Sequence, residues 1–217
     1  MIPVILLSDG YIANGSEPWK IPDVNTLPKM ETRIYKKKEG YAPYNHGNPD
    51  LARPWALPGT PGMEHRIGGL EKWEETGHVS YDPENHQRMV ELRQNKIDII
   101  ARDIAPAKPF GKESGDLLVI GWGGTHGAIR SAVETAQDEG MSVSHLHLRH
   151  LNPFPKNLGE ILVKFQKVMI AELNLGQLST IIRSKFLVDA VGLNKIQGKP
   201  FTQTEVYNEI TKLVKGA

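Results

Sequence analysis

Glu172, Asn174 and Gln177 stand together in the stretch ELNLGQL, directly after the apolar run VMIA at residues 168–171. A short buried strand that ends in a carboxylate, an amide and a small-residue turn opens a helix there. In an open α/β sheet the carboxyl ends of the strands are where ligands and partner subunits meet the fold. A purely structural turn would not need all three polar side chains, so they are candidate interface or cofactor-proximal residues.

A second turn of this kind is GWGGTHG, residues 121–127, which follows a predicted strand and opens a predicted helix, the position of a phosphate-binding loop. The dinucleotide fingerprint G-x-G-x-x-G would place its third glycine at His126, and the next strand runs out near Arg149 instead of an acid. Dinucleotide binding is therefore set aside. Gly123 and Gly124 are read as a sharp backbone turn pressed against a neighbour. In HLHLRH, residues 145–150, His145 and His147 would share one strand face. The Arg149 cation and the lack of a nearby carboxylate oppose a metal, and none is assigned. Glu64 and His65 are candidates for an acid–base pair. Adjacent residues of an extended segment point to opposite sides, so interface use is favoured and no catalytic residue is assigned.

The elements that must hold these groups are legible in part. Strands over 117–121, 143–148 and 168–173 alternate with helices over 126–139, 158–165 and 175–186, and a short strand falls within 188–196. A last helix opens at Thr202 with Glu205 three residues on, a capping-box spacing. This alternation predicts an α/β domain over 116–217, a mainly parallel sheet sandwiched by helices. Asp82-Pro83-Glu84 starts a surface-lying helix running to about residue 105. It lies in an irregular segment, residues 10–115, rich in proline before Pro61 yet holding Trp19, Trp55 and Trp73. That composition predicts an extended, turn-rich segment pinned at intervals by buried rings. Residues 2–7 read as a strand apolar on both faces, which belongs inside a sheet. We read residues 1–9 as the last strand of a preceding domain.

With 217 residues and a net charge of +1, the chain gives no electrostatic reason to invoke nucleic acid. Lys36, Lys37 and Lys38 form one basic cluster, read as a solvated loop. Cysteine is absent, which removes disulfides, thiol nucleophiles and cysteine-ligated iron–sulfur clusters. No apolar run approaches a membrane span, and no signal peptide is visible, so no membrane is expected and the cytoplasm is the expected location.

PVILLSDGYIANGSEPWKIP, PGMEHRIGGLE, HVSYDPENH, GWGGTHGA, LNPFPKN and ELNLGQL occur in this order. Together they resemble the carboxyl-terminal half of the alpha subunit of 2-oxoacid:ferredoxin oxidoreductases, most closely the 2-oxoglutarate type, over nearly the whole chain. The resemblance implies oxidative decarboxylation of a 2-oxoacid to its acyl-CoA, with thiamine diphosphate and magnesium in the complete enzyme. Electrons would pass through an iron–sulfur cluster on another chain to ferredoxin, with coenzyme A as co-substrate and a beta subunit as partner. It further implies a transketolase carboxyl-terminal-like domain for 116–217, with residues 1–9 closing a truncated pyrimidine-binding domain. The family's substrate-binding Tyr-Pro-Ile-Thr-Pro motif, its pyrimidine-activating glutamate and its carboxylate-binding arginine are not found here. This portion is accordingly expected to act as scaffold and interface, binding no cofactor alone. The corresponding domain of a transketolase or an oxo-acid dehydrogenase beta chain, and a non-catalytic interaction module, are the alternatives.

Overall fold

The computed structural model describes residues 2–16 and 18–216. Their contacts divide the chain into two units, one of residues 17–101 with the first four, the other of residues 5–16 and 102–217. The boundary thus falls at Ala101, earlier than the 115/116 boundary expected from the sequence.

The second unit is built on β1 (Gly115–Trp122), β2 (Val143–Leu148), β3 (Phe165–Glu172) and β4 (Ala190–Asn194), all parallel in the order β2-β1-β3-β4. A four-residue helix, α1 (Gly10–Ala13), precedes them in the chain. α3 (His126–Asp138), α4 (Leu158–Leu162), α5 (Gln177–Phe186) and α6 (Gln203–Lys215) follow β1, β2, β3 and β4 in turn. β1 is apolar on both faces because both are covered. Leu118 and Ile120 pack with residues of α4 and α5 in one core, while Leu117 and Val119 pack with those of α3 and α6 in the other. Each fully buried Leu or Ile of these cores contributes about 1.5–3 kcal/mol. β2 is an edge strand, and Phe110 lies along it in an antiparallel bridge with His145. The Phe110 N–H donates to the His145 carbonyl at 2.7 Å, and the His145 N–H donates back at 3.0 Å.

Some boundaries differ from the sequence expectation. β3 begins at Phe165, not residue 168, because the exposed Gln166 and Lys167 at its start mask the strand pattern. The helix expected over 158–165 therefore ends at Leu162, and α5 begins at Gln177, not residue 175. The run at 2–7 was expected to be a strand cut from the sheet of a preceding domain. It forms no strand among the described residues, and Val4, Ile5, Leu6 and Leu7 are exposed.

In the first unit α2 (Pro83–Ile99) is capped by Asp82, whose carboxylate accepts the Asn85 N–H at 2.7 Å, with Pro83 at the first helical position. It ends short of 105, passing into a tighter turn over Ile100–Arg102. Only Asn85 and Met89 of the helix are buried, as a surface-lying helix requires. Polar contacts tie it to the loop before it. Asn85 accepts the Glu74 N–H and donates to the Lys72 carbonyl, and Glu71 takes His86 and Arg93. Trp19, Trp55 and Trp73, expected to be buried against a body outside the segment, are exposed in this chain, and the buried apolar side chains of the unit include Ala56, Met63, Met89 and Ala101.

Candidate functional site

The order β2-β1-β3-β4 sends the chain outward from β1 to β2 and then back across to β3. α3, after β1, and α5, after β3, consequently lie on opposite faces of adjacent strands. A crevice opens between the carboxyl ends of two such strands, the usual ligand position in an open α/β sheet. A cleft of about 240 Å³ occupies it, lined among others by Trp122, Gly123 and Gly124 after β1 and by Leu173 and Asn174 after β3. Leu7, Ser8 and Asp9 close its outer side.

Each candidate residue on this rim has a definite local task. Glu172 is wholly buried. Its Oε2 accepts the Leu178 N–H and its Oε1 the Ser179 N–H, both at 2.9 Å, and the Trp122 indole Nε1 lies 3.4 Å from Oε2. It thereby satisfies two of the four N–H groups that a helix start leaves free, and its charge complements the dipole of α5. Asn174 Oδ1 accepts from Gly176 at 2.7 Å and from Gln177 at 3.3 Å, while Asn194 Nδ2 donates to the Asn174 carbonyl at 3.0 Å. This folds the chain into the left-handed turn at Gly176 that opens α5. Gln177 is the first residue of that helix and is exposed.

Across the cleft, Gly123 has a positive φ of 56°. A Cβ on Gly124 would lie 2.7 Å from Asp9 Oδ2, so the carboxylate packs directly on that backbone. Asp9 also accepts the Tyr11 N–H at 2.9 Å and so starts α1. Thr125 Oγ1 bonds both backbone groups of Trp122, at 2.9 and 3.1 Å, which holds the turn closed. The cleft thus offers an indole and leucine wall with one carboxylate. It suits a partly apolar group that carries a donor or a positive charge.

Four of the seven candidates, Gly123, Gly124, Glu172 and Asn174, meet around this crevice, with Gln177 just beyond it. Glu64 and His65 belong to the other unit and form no acid–base pair. Glu64 accepts the Gly62 N–H at 2.9 Å, and such backbone hydrogen bonds hold its carboxyl below the ordinary range. His65 Nδ1 lies 2.9 Å from the Met63 carbonyl and 3.3 Å from the Tyr41 hydroxyl. Two features escaped the sequence reading. Asp9 was legible only as the end of an apolar run, and its place on Gly124 depends on tertiary structure. His126 joins His145 and His147 on the α3 side of the sheet, with ring centres 5.4 and 4.9 Å away. Burial, with the neighbouring His126, His147 and Arg130, lowers His145 to about 3. Burial, with His126 and Arg149, lowers His147 to about 4.

Residues 115–206 match the family described as pyruvate:ferredoxin oxidoreductase core domain II. The chain is 50% identical over 215 residues to the 2-oxoglutarate oxidoreductase subunit KorA of Mycobacterium tuberculosis, covering 99% of this chain and 33% of that protein. It is 32% identical over 196 residues to 2-oxoacid:ferredoxin oxidoreductase 1, subunit alpha, of Aeropyrum pernix, covering 83% of this chain and 29% of the relative. Its fold matches the 2-oxoglutarate:ferredoxin oxidoreductase of Magnetococcus marinus, solved with 2-oxoglutarate, coenzyme A and succinyl-CoA bound. That match has a TM-score of 0.81 at 27% identity over 89% of this chain and 34% of the other. The chain spans about a third of the length of these curated relatives. Along nearly its whole length, the chain is thus similar to part of proteins named as subunits of 2-oxoglutarate and 2-oxoacid:ferredoxin oxidoreductases.

Proposed function

We propose that this chain is part of the alpha subunit of a 2-oxoglutarate:ferredoxin oxidoreductase, and that it supplies scaffold and subunit interface to that enzyme. The enzyme would convert 2-oxoglutarate to its acyl-CoA and pass the electrons to ferredoxin in the cytoplasm. The observation that carries this reading is 50% identity over 99% of the chain to a 2-oxoglutarate oxidoreductase subunit. No helix among the described residues is long and apolar enough to cross a membrane.

Thiamine diphosphate, magnesium and the iron–sulfur cluster are assigned to other parts of the enzyme, because the residues present do not fit them. The chain has no cysteine to ligate iron. The Asp9 carboxylate against Gly124 places negative charge where a diphosphate would approach the glycine turn. The protein's contribution here is to hold the sheet rim in place, so that a partner chain finds a fixed surface.

Two measurements test the assignment. Joined to the preceding part of an alpha subunit and mixed with a beta subunit, the chain should yield an enzyme that reduces viologen dye with 2-oxoglutarate and coenzyme A. Calorimetry of the chain alone with thiamine diphosphate and magnesium should give no micromolar binding. Tight binding there would move the cofactor grip onto this polypeptide, and an inactive reconstituted enzyme would remove the proposed function.

A further inference from the structure

We propose that His126, His145, His147 and Arg149 form a binding site for the phosphate group of a small molecule. The proposal does not rest on the reading of the preceding subsection. It starts from two nitrogens, His145 Nε2 and His147 Nδ1, which are buried and have no hydrogen-bond partner among the described residues. Buried polar groups are nearly always paired, so two such orphans on one strand face call for an explanation. His145 is only 2% exposed, yet its ring centre lies 5.4 Å from that of His126 and 6.0 Å from that of His147. His126 is the exposed first residue of α3, and His147 is half-buried, its ring centre 4.9 Å from that of His126. The three rings therefore lead from the orphan nitrogens to solvent.

Charge decides what would enter. The groups acting on His145 are His126, His147 and Arg130, and those acting on His147 are His126 and Arg149. All bear one sign when charged. Arg130 is already engaged, donating to Glu134 at 2.7 Å and lying over the Phe110 ring. Arg149 is exposed and takes part in no ion pair among the described residues. Lys112, on the segment along the edge of β2, adds no opposing charge. Asp9, the acid on the adjoining turn, packs on Gly124 and the Tyr11 N–H. The Arg149 guanidinium opposes a cation, and no three His, Asp or Glu side chains among the described residues are set to hold a metal. A phosphate oxyanion accepts from imidazole N–H and guanidinium groups together, and arginine matches its geometry.

The test uses the full chain with inorganic phosphate and pyrophosphate as probes, followed through the imidazole proton resonances. Phosphate should give saturable shifts of the three histidines, and His147→Asn should weaken it about tenfold. Tighter binding of pyrophosphate would assign the site to a diphosphate ester, and equal binding to a single phosphate group. Arg149→Ala, on an exposed side chain, gives a second weakened variant should His147→Asn fail to fold. Shifts that grow linearly without saturation, or saturation by zinc chloride but not by phosphate, would overturn the proposal.

Discussion

Glu172 is a carboxylate whose oxygens are committed to backbone. Replacing it with glutamine keeps one acceptor but turns an amide NH₂ toward the N–H of Leu178 or Ser179. Leaving one buried donor unpaired costs about 1–3 kcal/mol, and Glu172→Gln should lower stability by that amount in urea unfolding. Gln177, exposed at the helix start, should behave in the opposite way. Gln177→Ala is expected to move stability by about 0.5 kcal/mol or less while weakening assembly or turnover of the complete enzyme. The histidines make a further prediction. In the fold, His145 and His147 stay neutral down to about 3 and 4, whereas in the unfolded chain each takes up a proton near pH 6.5. Between those limits the unfolded state binds more protons, so stability falls as pH drops below about 6.5. From pH 6.5 to 5, His145 should cost on the order of 2 kcal/mol, and His147, which is more exposed, less. Urea midpoints in phosphate-free buffer should show this slope, and His145→Gln should flatten it.

At the scale of elements, α5 ends on Leu187, a left-handed residue with φ of 54° and 89% exposure. Asparagine tolerates that conformation far better than leucine, and little packing would be lost. Leu187→Asn should therefore raise stability by about 0.5–1 kcal/mol, read as a higher melting temperature. Local signals of this rank were the legible ones. The Thr202–Glu205 box caps α6 as its spacing predicts, with Lys195 also bonded to Glu205 at 2.7 Å. Asp82-Pro83 starts α2 for the same reason, since a cap is a contact between near neighbours. Signals that depend on partners distant in sequence were lost. The apolar run at 2–7 has the composition of a buried strand, but composition cannot supply the neighbour such a strand needs. Phe165 starts β3 because it pairs with Gly115, which nothing in the polar stretch after it reveals. Gly123 and Asn174 were legible as turn residues. Their meeting across one crevice follows from the strand order, which periodicity does not encode.

For the whole molecule, the two units differ in how they are held. The sheet unit has two apolar cores on either side of a parallel sheet, whereas the 17–101 unit relies on turns, one helix and polar ties such as Asn85. Regions with little buried apolar surface open at lower free energy. Limited proteolysis should thus cut first between residues 17 and 81, and a fragment containing 116–217 should persist. Even resistance along the chain would contradict that difference. The exposed Ile5, Leu6 and Leu7, the last of which lines the Asp9 cleft, are the kind of apolar surface that marks a protein contact. On the proposed reading, this chain serves as the rim and support of a 2-oxoglutarate-oxidising enzyme. The most direct test is to put the 217 residues in place of the matching third of the Mycobacterium tuberculosis 2-oxoglutarate oxidoreductase subunit and assay the hybrid with the rest of that enzyme. The prediction is dye reduction that requires both 2-oxoglutarate and coenzyme A and that falls when Gln177 is changed to alanine. A hybrid that folds and assembles but does not oxidise 2-oxoglutarate would contradict it.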